Sequence, residues 1–163
     1  MKTSDHKLLP LFAKAGLALS LIVLTVVSSC VKPPEYSEIP FIEFQSINTN
    51  TVIKGDTATV IIQVYFEDGD GDLGDDTTQN VQLFDSRIPN FPIPFHIDSI
   101  EPRSKVDDIS GTIELRLNPF VMAWDCLNDE DEDTTTLSLF IIDRAGNQSN
   151  TVSIPEPMRI ICN

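Results

Sequence analysis

From position 41 onward, apolar residues recur at every second position in one segment after another. Val60, Ile62, Val64 and Phe66 alternate with Thr59, Ile61, Gln63 and Tyr65. Both sets are partly apolar, which predicts a central strand covered on both faces. Ile113, Leu115 and Leu117 alternate with Thr112, Glu114 and Arg116, the pattern of a strand with one wet face. Leu137, Leu139 and Ile141 alternate with Ser138, Phe140 and Ile142. Shorter strands are predicted at 42–47, 81–84, 95–100, 150–154 and 158–161, and the gaps between them hold the Gly, Pro, Asn and Asp that turns require. No helical period stands out, although 119–126 has room for one helical turn. About seven or eight short strands over roughly 100 residues predict an all-β, two-sheet sandwich, with a closed barrel as the alternative.

The first 30 positions break this pattern. Lys2, Lys7 and Lys14, diluted by Asp5, precede an uncharged stretch of 13 residues at 15–27, and Ser28 and Ser29 then lead to Cys30. Basic, apolar and small is the order of an export signal. The apolar run is shorter than the ~20 residues of a membrane-spanning helix. Val27-Ser28-Ser29-Cys30 resembles the lipobox of bacterial lipoproteins: an aliphatic residue, two small residues, then cysteine. The resemblance implies cleavage before Cys30, a diacylglycerol on its thiol and an acyl chain on the new amine. Several acyl chains together hold a soluble domain on a bilayer where one holds it only marginally. The expected organisation is a signal at 1–29, a lipidated Cys30 with an extended tether through 40 (Pro33, Pro34 and Pro40 stand in it), and one folded domain at 41–163. Position 31 is Val, not the Asp that keeps some lipoproteins at the inner membrane, so the resemblance implies an outer-membrane location in the bacterial envelope.

Removing the signal changes the electrostatic picture. It carries three lysines against one aspartate, so its loss takes the formal charge from −14 to −16. That charge disfavours nucleic acid and anionic lipid headgroups as partners and favours cations. Export also places the two remaining cysteines, Cys126 and Cys162, in an oxidising compartment. Their spacing leaves open either a disulfide or two buried thiols, because sequence does not place their Cα atoms.

A second resemblance lies near the C-terminus. Leu139 to Ile142, Asp143-Arg144-Ala145-Gly146-Asn147 and the residues after them look like the last hairpin of many bacterial immunoglobulin-like domains: a strand, an Asp, a turn with Ala-Gly-Asn, a final strand. It implies an immunoglobulin-like sandwich and says little about function.

The strongest chemical signal follows the strongest strand. Glu67-Asp68-Gly69-Asp70-Gly71-Asp72-Leu73-Gly74-Asp75-Asp76 packs six carboxylates into ten residues with three glycines. Such a segment repels itself unless neutralised, and a hard dication with oxygen ligands would do this. The alternation resembles the Asp-x-Asp-x-Asp core of calcium loops. It departs from an EF-hand at Leu73, where the turn glycine belongs, and at Gln79, where the bidentate glutamate belongs. Any site is therefore completed from elsewhere. In the immunoglobulin-like order the loops after 57–66 and 137–142 share one end of the sandwich, which brings Asp143 and Asn147 near. The expected calcium ligands are Asp68, Asp70, Asp72 and Asp143, with Asp75 or Asn147 filling in. A solvated acidic turn is the competing reading, and the second acidic run, 128–133, is expected to be such a turn.

His96 is the sole histidine after Cys30, and nothing near it resembles a nucleophile motif. No catalytic residue is assigned. Trp124, near Phe120 and Met122, is expected to plug one end of the sandwich rather than form an exposed platform. The sequence thus points to a lipid-anchored, non-catalytic binding or scaffolding module of the envelope, braced by calcium, with envelope proteins or glycans as partners and no nucleic acid. The alternatives are a structural subunit of an envelope assembly and a carboxylate-based enzyme.

Overall fold

The computed structural model describes residues 35–102, 107–118, 122, 124–127 and 130–162. The export signal expected at 1–29, Cys30, the first part of the expected tether through Pro34, Phe120 and the start of the second acidic run lie outside the described residues.

The fold is all-β. Ten strands are described: β1 (Phe41–Ile47), β2 (Thr51–Ile53), β3 (Val60–Asp68), β4 (Val81–Asp85), β5 (Ile93–Phe95), β6 (Ile109–Leu117), β7 (Glu132–Thr135), β8 (Leu137–Ile141), β9 (Val152–Ser153) and β10 (Met158–Ile161). They form three sheets, in the orders β1-β3-β6, β2-β10-β7 and β5-β4-β8-β9. Every pairing is antiparallel except that of β2 with β10. The expected pair of sheets is thus three hydrogen-bonded groups around one core, which takes Ile62, Val64 and Phe66 from one sheet, Leu83, Leu139 and Ile141 from the second and Val52, Met158 and Ile160 from the third.

Strand β3 is central, between β1 and β6. Its alternation is strict: Val60, Ile62, Val64, Phe66 and Asp68 are buried, and the residues between them are half-buried. Side chains two apart share a face, so Asp68 occupies the core-facing phase at the strand's end. Strand β4 repeats the arrangement, with Asp85 in phase with Val81 and Leu83.

Three sequence expectations are corrected. The strand expected at 95–100 ends at Phe95. Beyond it, the N–H of Ile97 donates to the Asn80 side chain (2.8 Å) and its carbonyl accepts from that same amide (2.9 Å), so one side chain replaces a strand partner. The second acidic run is not simply a solvated turn. Glu132–Thr135 pairs with β10, Glu132 meets Arg159, and Asp133 meets Arg87 at 2.9 Å. The tether is docked at its domain end: Tyr36 donates its N–H to Asp108 (2.7 Å), Ser37 accepts from Gly69 (2.8 Å), and Pro40 is buried.

Trp124 and Met122 are buried, as a plug requires. Cys126 and Cys162 are joined by a disulfide with Cα atoms 6.0 Å apart, fastening the segment before β7 to the end of β10.

Candidate metal centre

Asp68, Asp70, Asp72 and Asp143 each present a carboxylate oxygen to one point, with the four oxygens within 4.8 Å of one another. Two strand ends supply them. β3 delivers Asp68 and the loop that follows, and β8 delivers Asp143 through the bridge between Ile142 and Gln148.

The outer oxygens are held by N–H groups. Oδ2 of Asp68 accepts from Asp72 (3.0 Å) and Leu73 (3.1 Å), and Oδ2 of Asp72 accepts from Ala145 (2.8 Å). Asp143 accepts from the Asn147 backbone (2.7 Å) and side chain (2.9 Å). Asp68 and Asp72 thus have one oxygen engaged and the other free, while both oxygens of Asp143 accept from Asn147. Oδ1 of Asp68, Asp70 and Asp72 is buried and has no hydrogen-bond partner. Asp68 as a whole is 0% exposed.

The loop is built to hold that shape. Leu73, the departure from the EF-hand pattern, is fully buried and pins the loop to the core. Gly71 (φ 67°) and Gly74 (φ 81°) adopt backbone angles that side chains rarely tolerate, and the carbonyls of Asp107 and Asp98 press against them. Arg144 clamps the outside: its guanidinium donates to the Gly74 carbonyl (3.1 Å) and to Ser99 (2.6 Å). It makes no ion pair with the four aspartates.

Electrostatics follow from this geometry. Burial, then the charges of Asp70 and Asp72, push the Asp68 carboxyl up to about 7. Burial, then the charge of Asp143, raises that of Asp72. Asp85 supplies the contrast. It too is a buried aspartate at a strand end, but Arg87 donates to both its oxygens (2.6 Å for the shortest contact) and Thr135 adds a further bond. Burial opposes its ionisation, and these partners more than offset that, holding its carboxyl below the usual range. Among the described residues, Asp68 has no such cation.

Of the six ligands expected from sequence, four are brought together. Asp75 lies outside the cluster and closes its own turn, accepting from Thr77 and Thr78. Asn147 positions Asp143. Sequence reasoning missed Arg144 and the Arg87–Asp85–Asp133 network. Their signal was there: arginines beside or two residues from an aspartate at a strand end.

Fold and site together define a class: an all-β domain with a four-aspartate cluster at one end of its core. No family model, no curated protein and no solved structure matches the chain.

Proposed function

We propose that this chain is a lipid-anchored protein of the bacterial envelope, outer membrane by the residue after Cys30, whose immunoglobulin-like domain binds calcium as a structural brace and serves as a non-catalytic binding or scaffolding module. The observation that carries the cation is Asp68: fully buried, in the phase that β3 otherwise gives to core residues, with one oxygen unpartnered among three further carboxylates. A buried charge requires a countercharge or a proton.

Calcium fits the donor set. Its oxygen ligands sit at 2.3–2.6 Å, so opposite ligands span about 4.6–5.2 Å; magnesium at 2.0–2.1 Å would span only about 4.2 Å. The four oxygens here lie within 4.8 Å of one another, an upper limit that admits either ion. Calcium is preferred because it takes six to eight oxygen ligands in flexible geometry, whereas magnesium keeps most of its waters. All-oxygen, carboxylate-rich coordination also disfavours the softer metals that seek imidazole or thiolate. The site sits behind bracing hydrogen bonds, which suits a structural ion.

Calorimetric titration of chelator-treated protein with calcium tests the brace. One ion bound per chain, with a raised melting temperature, is expected; no heat and no shift would remove calcium from the reading. Intact mass of the protein from its native host tests the anchor. The expected polypeptide begins at Cys30 and carries fatty acid; one that keeps Met1 and lacks lipid refutes it.

The subunit reading has one observation in its favour. Ile88, Phe91 (73% exposed) and Leu127 are exposed apolar residues, and the first two follow the end of β4 remote from the aspartates. A stoichiometric complex recovered from envelopes and lost in Phe91→Ser would favour it.

A further inference from the structure

The aspartate cluster and the domain's first residues share their walls. Gly69, between Asp68 and Asp70, donates its N–H to the Ser37 carbonyl at 2.8 Å. A side chain at 69 would run into the Tyr36 carbonyl, so Gly69 is needed for this close approach. Asn147, which holds Asp143, also donates to the Glu38 carbonyl at 3.4 Å. Tyr36 bonds Asp108, and the neighbouring Asp107 carbonyl packs on Gly71 of the acidic loop. Residues 36–38 thus rest on the acidic loop, on the Asp143 turn, and on the segment packed against that loop.

We propose that cation binding at the four aspartates is the clasp that docks residues 36–40, the segment leading to the anchor, onto the domain. This rests on the calcium reading above. With the ion bound, the loop keeps the curl that presents Gly69 to Ser37, and the Asp143 turn stays beside it. Without the ion, four like charges within 4.8 Å of one another drive the loop and the turn apart. The docked segment loses two of its seats together, while Ile42, fixed by Asn150 at 2.8 Å in both directions, keeps β1 in place. Left with only the Tyr36 bonds to Asp108 and Ser110, the segment frees itself, and its five residues add up to about 17 Å of reach at ~3.3–3.6 Å each. Cation occupancy therefore sets how much free chain precedes the domain, and so, on the anchor reading above, its reach from a membrane.

A glutamate-specific protease tests this on the full chain, because Glu38 lies within the docked segment and Glu114 lies within β6, paired with Gln63. Cleavage after Glu38 is expected to accelerate tenfold or more when calcium is replaced by chelator, with cleavage after Glu114 unchanged. Gly69→Ala should still bind calcium by calorimetry, yet be cut quickly after Glu38 in both conditions. Calcium heat with less than threefold acceleration overturns the clasp and leaves the brace standing. Equal acceleration at Glu114 also overturns it, since the release would then be global unfolding. Absence of calcium heat removes the brace and the clasp together.

Discussion

Replacing Asp68 with Asn separates a cation site from an acidic turn by the sign of its effect. The amide has the same shape, and its oxygen can keep the N–H bonds from Asp72 and Leu73 that hold the loop. What it removes is one charge from a group of four within 4.8 Å of one another. At that separation each pair repels by about 3.5 kcal/mol at an effective dielectric of 20, and about 0.9 kcal/mol in bulk water. Three neighbours at the water value give about 2–3 kcal/mol, and partial protonation of a neighbour trims this, so about 2 kcal/mol is expected. For a domain of this size that is a rise of roughly 6–10 °C in Tm. The gain appears only where the wild-type carboxyl is ionised. Burial and its neighbours place that carboxyl at about 7, so the melt belongs at pH 8. In chelator, D68N should melt above wild type. In calcium the order should narrow or reverse, because wild type at a hundredfold excess over Kd gains about 2.7 kcal/mol and the variant binds at least tenfold more weakly. Differential scanning calorimetry of both proteins in both buffers reads all four values. A D68N that melts at or below wild type in chelator, or that responds to calcium as wild type does, refutes the reasoning.

Other outcomes follow from residues away from the aspartate cluster. Arg87→Met leaves buried Asp85 and its neighbour Asp133 without their cation, which should cost about 3–5 kcal/mol in urea unfolding; a loss under 1 kcal/mol would show the pair to be a weak surface contact. The same pair sets an acid limit. The Asp85 carboxyl lies lower folded than its ordinary 3.8, so its stabilisation is full above that value and is lost as pH falls through the lower folded one; Asp85→Asn should flatten the stability profile below pH 4. Cys126→Ser opens a disulfide spanning 36 residues and should cost about 3–4 kcal/mol, read as a lower urea midpoint that reductant no longer changes. Leu73→Ala should cost about 2–5 kcal/mol and weaken calcium binding as well, since the same residue anchors the loop to the core; unchanged affinity would separate the two roles.

Much of the fold was legible because a strand writes its burial into alternate positions. The period of β3, β6 and β8 could be read directly, and for β6 the wet face as well. In β3 and β8 both alternating sets are partly apolar, so which set faces the core, and with it the inward direction of Asp68, was decided by the structure. Joining Asp143 to the acidic loop needed one assumption about which loops share an end, and the loops do meet. The strand expected at 95–100 failed because Asn80, 17 residues earlier in the chain, supplies the bonds that a neighbouring strand would have given Ile97. Strand β7 was hidden because its carboxylates look like solvated charge until Arg159 is placed against Glu132 and Arg87 against Asp133.

The sequence alone determined the period of the chain, its acidity and the residue types gathered after β3, since each is a property of neighbours along the backbone. Only the tertiary structure decided which carboxylates lack a countercharge. Asp68 and Asp85 are alike in sequence, each closing a buried strand, and they differ because Arg87 folds back on one of them while three more carboxylates converge on the other. Convergence of like charges is a long-range fact, and it is what turns an acidic loop into a place for a cation.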